Sequence, residues 1–111
     1  MAKNYLQEGD VQTFTAPYAV ASGAGFQVGS LVAIAQYAAA SGATVEGAVE
    51  SVFVVTKAAG SAWTDRGKIY WDNTAKNFTS VSTSNQLCGC SVGAALTADV
   101  IGTVYLDGAV R

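Results

Sequence analysis

The chain has no histidine, one proline and few charges: Asp, Glu, Lys and Arg make up 13% of its 111 residues. Histidine is the side chain whose ordinary pKa lies nearest neutrality, so its absence removes the commonest general base and the commonest metal ligand. No Ser-His-Asp triad can be assembled, however plentiful the serines. Long apolar runs are missing too. The most apolar stretch, residues 31–40, is broken by Gln36 and falls short of the roughly 20 residues that span a bilayer as a helix. The first ten residues lack the apolar centre of a signal peptide, which predicts synthesis and retention in a cytoplasm, with no membrane partner.

Positive charge is also thin. Net charge is −2, and of the six basic residues (Lys3, Lys57, Arg66, Lys68, Lys76, Arg111) only Arg66 and Lys68 stand close together. Nucleic-acid binding needs a basic face that displaces counterions, so no direct nucleic-acid partner is expected. A phosphate loop is absent: Gly60 and Gly67-Lys68 are wrongly spaced, and Ile69 stands where a metal-binding hydroxyl belongs. Residues 23–28 fall short of a dinucleotide fingerprint because Val28 occupies the third glycine position. Together these absences predict a protein that is not an enzyme and carries no cofactor or metal.

Cys88 and Cys90 are the two cysteines. On a regular strand they would share one face, since side chains repeat every second residue. No second pair of ligands exists to complete a tetrahedral zinc site. The expectation is two small buried apolar groups in a reducing compartment.

What the chain does contain is β-structure in short pieces. Half its residues are hydrophobic, much of that small Ala and Val, and apolar runs are punctuated by Gly, Ser, Asn and Ala clusters. Strands are predicted at residues 11–15, 26–28, 30–35, 44–56, 67–72, 78–81, 87–92 and 101–107. Alanine propensity over 31–40 would allow a helix, but Ser41-Gly42 follows at once and an alternating pattern resumes, which favours strand, loop and strand. Residues 44–56 form the longest candidate, with Val45, Gly47, Val49, Ser51, Phe53 and Val55 on one face. Val52 and Val54 break the alternation, which predicts a bulge near residues 48–51 or burial of both faces beyond it. Glu46 and Glu50 on one such strand would lie about 13 Å apart, too far for a glycosidase pair. Residues 73–77 are a hairpin turn in which Asp72 or Asn73 bonds the backbone two residues on. The fold class is therefore all-β: a small single-domain barrel or sandwich over residues 11–111, preceded by a polar N-terminal arm over residues 1–10. Core positions are expected for Trp71 and Phe53, with Ile69 inward beside Trp71 and Tyr70 on the opposite face. Trp63 is expected at an interface or in loop packing, and Trp63, Tyr70 and Tyr105 on one exposed face would instead make a sugar-binding platform.

Several phrases occur in an order that resembles the tailed-phage capsid cement, or head decoration, proteins. They run from Tyr5-Leu6-Gln7-Glu8-Gly9-Asp10 through Thr15-Ala16-Pro17-Tyr18 and Val28-Gly29-Ser30-Leu31-Val32 to Lys57-Ala58-Ala59-Gly60 and Gly67-Lys68-Ile69-Tyr70-Trp71-Asp72. The resemblance covers essentially the whole chain. Members are sometimes labelled RecA/RadA recombinase-like, a label that the missing phosphate loop and basic face contradict. The resemblance implies a barrel-like body, assembly as a homo-trimer, and binding to the major capsid protein on the outer surface of a virion made in a host bacterial cytoplasm. The arm residues Ala2, Lys3, Asn4, Tyr5, Leu6, Gln7 and Glu8 are the expected capsid contact. The alternative is a virion-displayed module that binds sugar or a host surface.

Overall fold

The computed structural model describes residues 11–109, so the expected arm, with its capsid-contact residues 2–8, lies outside the described residues. Among the described residues there is no helix. Nine strands run in the order β1 (Val11–Thr15), β2 (Gly25–Val28), β3 (Leu31–Ala35), β4 (Thr44–Ala48), β5 (Glu50–Thr56), β6 (Lys68–Asp72), β7 (Asn77–Thr79), β8 (Gln86–Ser91) and β9 (Ile101–Asp107). They form two antiparallel sheets, β1-β4-β3-β2 and β5-β9-β8-β6-β7. The second curls, because Lys57, just past β5, bridges in parallel to Phe78 of β7.

β3 shows why residues 31–40 start as a strand. Its side chains alternate large and small, and both faces are covered, as expected of a continuously apolar strand. Val32 and Ile34 enter the larger core with Trp63, Ile69, Trp71 and Val104. Ala33 and Ala35 enter a smaller cluster with Phe26, Val45 and Val49. Small residues are required on that side: a Cβ on Gly47 of β4 would lie 2.8 Å from the Ala33 Cβ. Phe14 and Phe26 close this cluster edge to face, with ring centroids 5.4 Å apart.

Residues 44–56 are two strands and not one. β4 pairs with β1 and β3, whereas β5 pairs with β9 in the other sheet. Val49 is buried between them, and Ser51 takes a φ of +150°. The break falls where the sequence placed a bulge. The other option, burial of both faces, does not occur: Val52 is 53% and Val54 70% exposed. Glu46 and Glu50 consequently belong to different sheets, and no carboxylate pair forms between them.

The β6–β7 hairpin follows expectation. Asp72 Oδ1 accepts from the amides of Thr74 and Ala75 at 2.9 and 3.0 Å, and Asn73 Oδ1 accepts from Trp71 Nε1 at 3.0 Å. Ile69 and Trp71 face inward while Tyr70 faces out, and Phe53 packs against the same core. Of the two places expected for Trp63, it takes loop packing and not an exposed interface, being 2% exposed, paired with Ala95 and packed into the core. Its ring lies on the bare backbone of Gly102, where a Cβ would collide with Cζ3.

Two outcomes follow. Gly102→Ala forces the Trp63 ring off β9, and thermal or denaturant unfolding should show a loss of about 1–3 kcal/mol, the usual cost of overpacking. The second concerns Tyr18, whose hydroxyl donates to the Gly25 carbonyl at 2.9 Å while Lys76 Nζ sits 4.2 Å from its ring centroid. Burial raises the phenol pKa above its ordinary 10.0. The folded state then holds its proton longer than the unfolded chain, so stability is full below about pH 10 and falls as pH rises above it. Denaturant midpoints measured across that range should fall more shallowly in Tyr18→Phe than in the parent chain.

Candidate interaction surface

Register sets what the five-stranded sheet shows to solvent. Residues opposite one another in an antiparallel pair share a face. Val52 pairs with Tyr105, Tyr105 with Cys90, and Cys90 with Lys68, which makes one row across β5, β9, β8 and β6. Val54 opposite Thr103 and Thr56 opposite Ile101 make the next rows on β5 and β9. The inner face carries Phe53, Val55, Val104 and Leu106, so the phase is fixed by the core. Val52, Val54, Ile101 and Tyr105 are left on the outside, all exposed.

The cysteines do not share a face. Pairing of β8 with β6 slips between Ile69 and Tyr70, and Cys88 falls in that irregularity. A bulge of this kind reverses the alternation locally. Cys88 turns into the core, its thiol donating to the Ile69 carbonyl at 3.4 Å, while Cys90 stands partly exposed in the outer row. The expectation of two buried apolar groups on one side holds for Cys88 alone. Neither cysteine is in a disulfide, and among the described residues no group of three or more His, Cys, Asp or Glu gathers as a metal site.

Around the outer row lies a cleft of about 440 Å³, lined by Val52, Arg66, Cys90, Val92 and Tyr105. Its walls offer apolar surface and one guanidinium. Chemically, those walls are suited to apolar contact. The three rings do not make one exposed platform, because Trp63 is 2% exposed, although it lines a cavity of about 360 Å³ together with Tyr70.

Beside the cleft stands a loop, residues 93–100, with Leu96 at 73% exposure and Val100 also exposed. The loop is held from below. Trp63 and Ala95 exchange backbone hydrogen bonds at 2.9 and 3.0 Å, and the Gly60 amide donates to Thr97 O at 2.9 Å. Asp99 Oδ2 accepts from the Leu96 amide at 2.9 Å. Lys57 is the central strut: its backbone amide donates to Val100 O, and its Nζ donates to the carbonyls of Ala58 and Asp99 at 3.0 and 3.1 Å. The ammonium also lies 5.9 Å from the Trp63 ring centroid, so this 2%-exposed lysine meets carbonyl oxygens and a π face in place of water.

Apart from Tyr105, offered as one ring of a sugar platform, the sequence reading missed these surface residues. Their signal was present in part: valines in both phases of one strand, and a lone Leu96 in an Ala/Gly/Thr loop.

Comparison with known proteins settles the family. The sequence model of the phage cement protein family matches residues 6–106. The chain belongs to the phage cement protein family. A search of curated proteins finds no match. The family is structural and is named for association with a phage capsid, which agrees with an all-β body whose candidate site is an apolar surface. In this cement protein, Lys57→Met removes the ammonium donor from two part-buried carbonyls, those of Ala58 and Asp99. We expect a loss of about 1 kcal/mol in unfolding experiments, the net worth of the hydrogen bonds removed from these part-buried groups. Hydrogen exchange should quicken at the Gly60 and Ala95 amides more than at those of β9.

Proposed function

We propose that this cement protein binds the outer surface of a phage capsid as a homo-trimer and stabilises the shell without catalysing any reaction. The observation that carries the reading is the exposed apolar outer face of β5 and β9 in a member of the phage cement protein family. A shell stabiliser needs a rigid body and surfaces that adhere. Copies repeated over a lattice meet their partners at high effective concentration, so modest contacts become collectively strong. Adhesion of this kind opposes the outward pressure of packaged DNA.

In this reading the partner is the major capsid protein, and residues Ala2 to Glu8 are the segment that grips it. They add backbone hydrogen bonds to an exposed capsid strand edge, the way an extended peptide augments a sheet. The polar character of the segment, directly before β1, supports the assignment. The protein is made in the host bacterial cytoplasm and resides on the virion.

Mixing the purified protein with bare expanded capsids tests this directly. Imaging should show added density on the outer surface, and the protein should sediment with the shells. Deleting residues 2–8 should abolish co-sedimentation while leaving the melting temperature unchanged. Undiminished sedimentation of the deletion variant would remove the arm from the mechanism, and failure of the intact protein to bind would remove the capsid.

A further inference from the structure

The cavity of about 360 Å³ that Trp63 and Tyr70 line sits where β7 stops short. β7 follows β6 only as far as Thr79, opposite Tyr70, so Lys68 and Ile69 pair with β8 on one side and have no β7 residue on the other. Ser80 and Ser82 beyond β7, and Ala62 and Thr64 before β6, wall the gap that results. Ser80 Oγ donates to Ser61 Oγ at 3.1 Å, which ties the two walls together. Burial grades the lining from inside to outside. Trp63 and Ile69 are buried at the floor, Tyr70 and Ser80 are half-buried, and Thr64, Lys68 and Ser82 are exposed at the mouth.

The floor carries an unmet donor. Trp63 is 2% exposed, yet its Nε1 has no hydrogen-bond acceptor among the described residues. Buried N–H groups are almost always paired, so an orphan beside a cavity calls for an acceptor inside it. The six-membered ring of the same indole rests on Gly102 of β9, which turns the N–H edge away from that strand. In the curled sheet β6 and β7 stand across the interior from β9, and it is β6 and the chain after β7 that frame the cavity. The lining is also one-sided in charge: it holds one ammonium, Lys68, and four hydroxyls, but no carboxylate. The two acids nearest to Lys68 in sequence are engaged elsewhere, Asp65 with the Gly93 amide and Arg66, and Asp72 with the amides of Thr74 and Ala75.

An indole N–H and an ammonium can only donate, so a complementary ligand offers an acceptor to each. A carboxylate answers Lys68. Hydroxyls answer side chains that both donate and accept, and an apolar ring face answers Ile69 and Tyr70. The volume lies near the small end of ligand pockets, which run from about 300 to 1,000 Å³, so a single ring fills it. We propose that this cavity binds a uronic acid, a sugar ring bearing one carboxylate. The carboxylate lies on Lys68 at the mouth, and a ring oxygen or hydroxyl accepts from Trp63 Nε1 at the floor. The sugar is a free molecule or one unit of an acidic polysaccharide, and the same contacts serve both. This site stands beside the capsid reading and does not depend on it.

The chain has two tryptophans, so nitrogen–proton NMR of the full-length protein shows two indole signals. Trp71 Nε1 already donates to Asn73 Oδ1 and is the internal control, identified by the shift that Asn73→Ala causes. Titration with glucuronate should move the Trp63 signal saturably, slow its exchange with water, and leave the Trp71 signal in place. At equal ionic strength glucose and acetate should each bind at least tenfold more weakly, since one lacks the carboxylate and the other the ring. Lys68 and Ser82 are exposed, so Lys68→Gln and Ser82→Trp should keep the parent's melting temperature. The first should weaken glucuronate binding at least tenfold, and the second, which plugs the mouth, should abolish it. An unmoved Trp63 signal overturns the proposal. So does acetate or glucose binding as tightly as glucuronate, or undiminished binding in either variant. A glucuronate oligomer that binds more tightly than the monomer assigns the site to an acidic polysaccharide, and equal or weaker binding assigns it to the free sugar acid. Co-sedimentation with bare capsids, run on the same samples, keeps the two readings apart. A parent protein that binds shells but not glucuronate loses this site alone, and one that binds glucuronate but not shells loses the capsid reading alone.

Discussion

Everything else in this fold depends on how the inside of the curled five-stranded sheet is filled. Among the described residues no helix caps it, and the space falls to Trp63 and Trp71, both buried side chains of the larger core. Trp63 enters from a loop and not from a strand, so it must be anchored by main-chain pairing with Ala95 and by contact with a residue that has no side chain, Gly102. The same indole lies beneath the Lys57 ammonium. Core packing and the position of the surface loop are thus one constraint: whatever moves the ring moves residues 95–100.

This coupling explains why a fully buried lysine is tolerated. An ammonium taken out of water costs several kcal/mol unless its donors are satisfied. Lys57 recovers that cost through two carbonyl acceptors and a ring face, and those acceptors belong to segments that the strand ladders do not reach. An apolar residue in its place would fill the volume but leave the Ala58 and Asp99 carbonyls facing it. The lysine is therefore best understood as a fastener between the end of β5 and the β8–β9 connection.

Local chemistry made most of the strands legible in the sequence. The alternation of Ile69, Tyr70 and Trp71 and the Asp72-Asn73 turn are decided by neighbours a few residues away, and the structure follows them. Three features were not legible, each for the same reason. Whether Val49 continues a strand or turns a corner depends on which sheet waits beyond it. Whether Cys88 and Cys90 share a face depends on a register slip against β6. Whether Trp63 is surface or core depends on Gly102, 39 positions later in the chain. All three are long-range facts that a period-two pattern cannot carry. The candidate surface was hidden by the same limit, because Val52 and Val54 look like core residues until the inner face is known to be filled by Phe53 and Val55.

The outcome is a division of labour across a single strand. β5 directs Phe53 and Val55 into the core and Val52 and Val54 into solvent, so it is hydrophobic on both faces for two different reasons. An ordinary solvated strand would carry polar groups on its outer face, and exposing valines there brings a risk of non-specific association. That risk is contained by the flanking charges. Glu50 precedes Val52 on β5, Lys68 stands in the same row as Val52 and Tyr105, and Arg66 lines the cleft with them, so an approaching apolar surface must also meet charge of both signs. In this member of the phage cement protein family, β5 is thereby at once a wall of the core and an apolar strip of the surface.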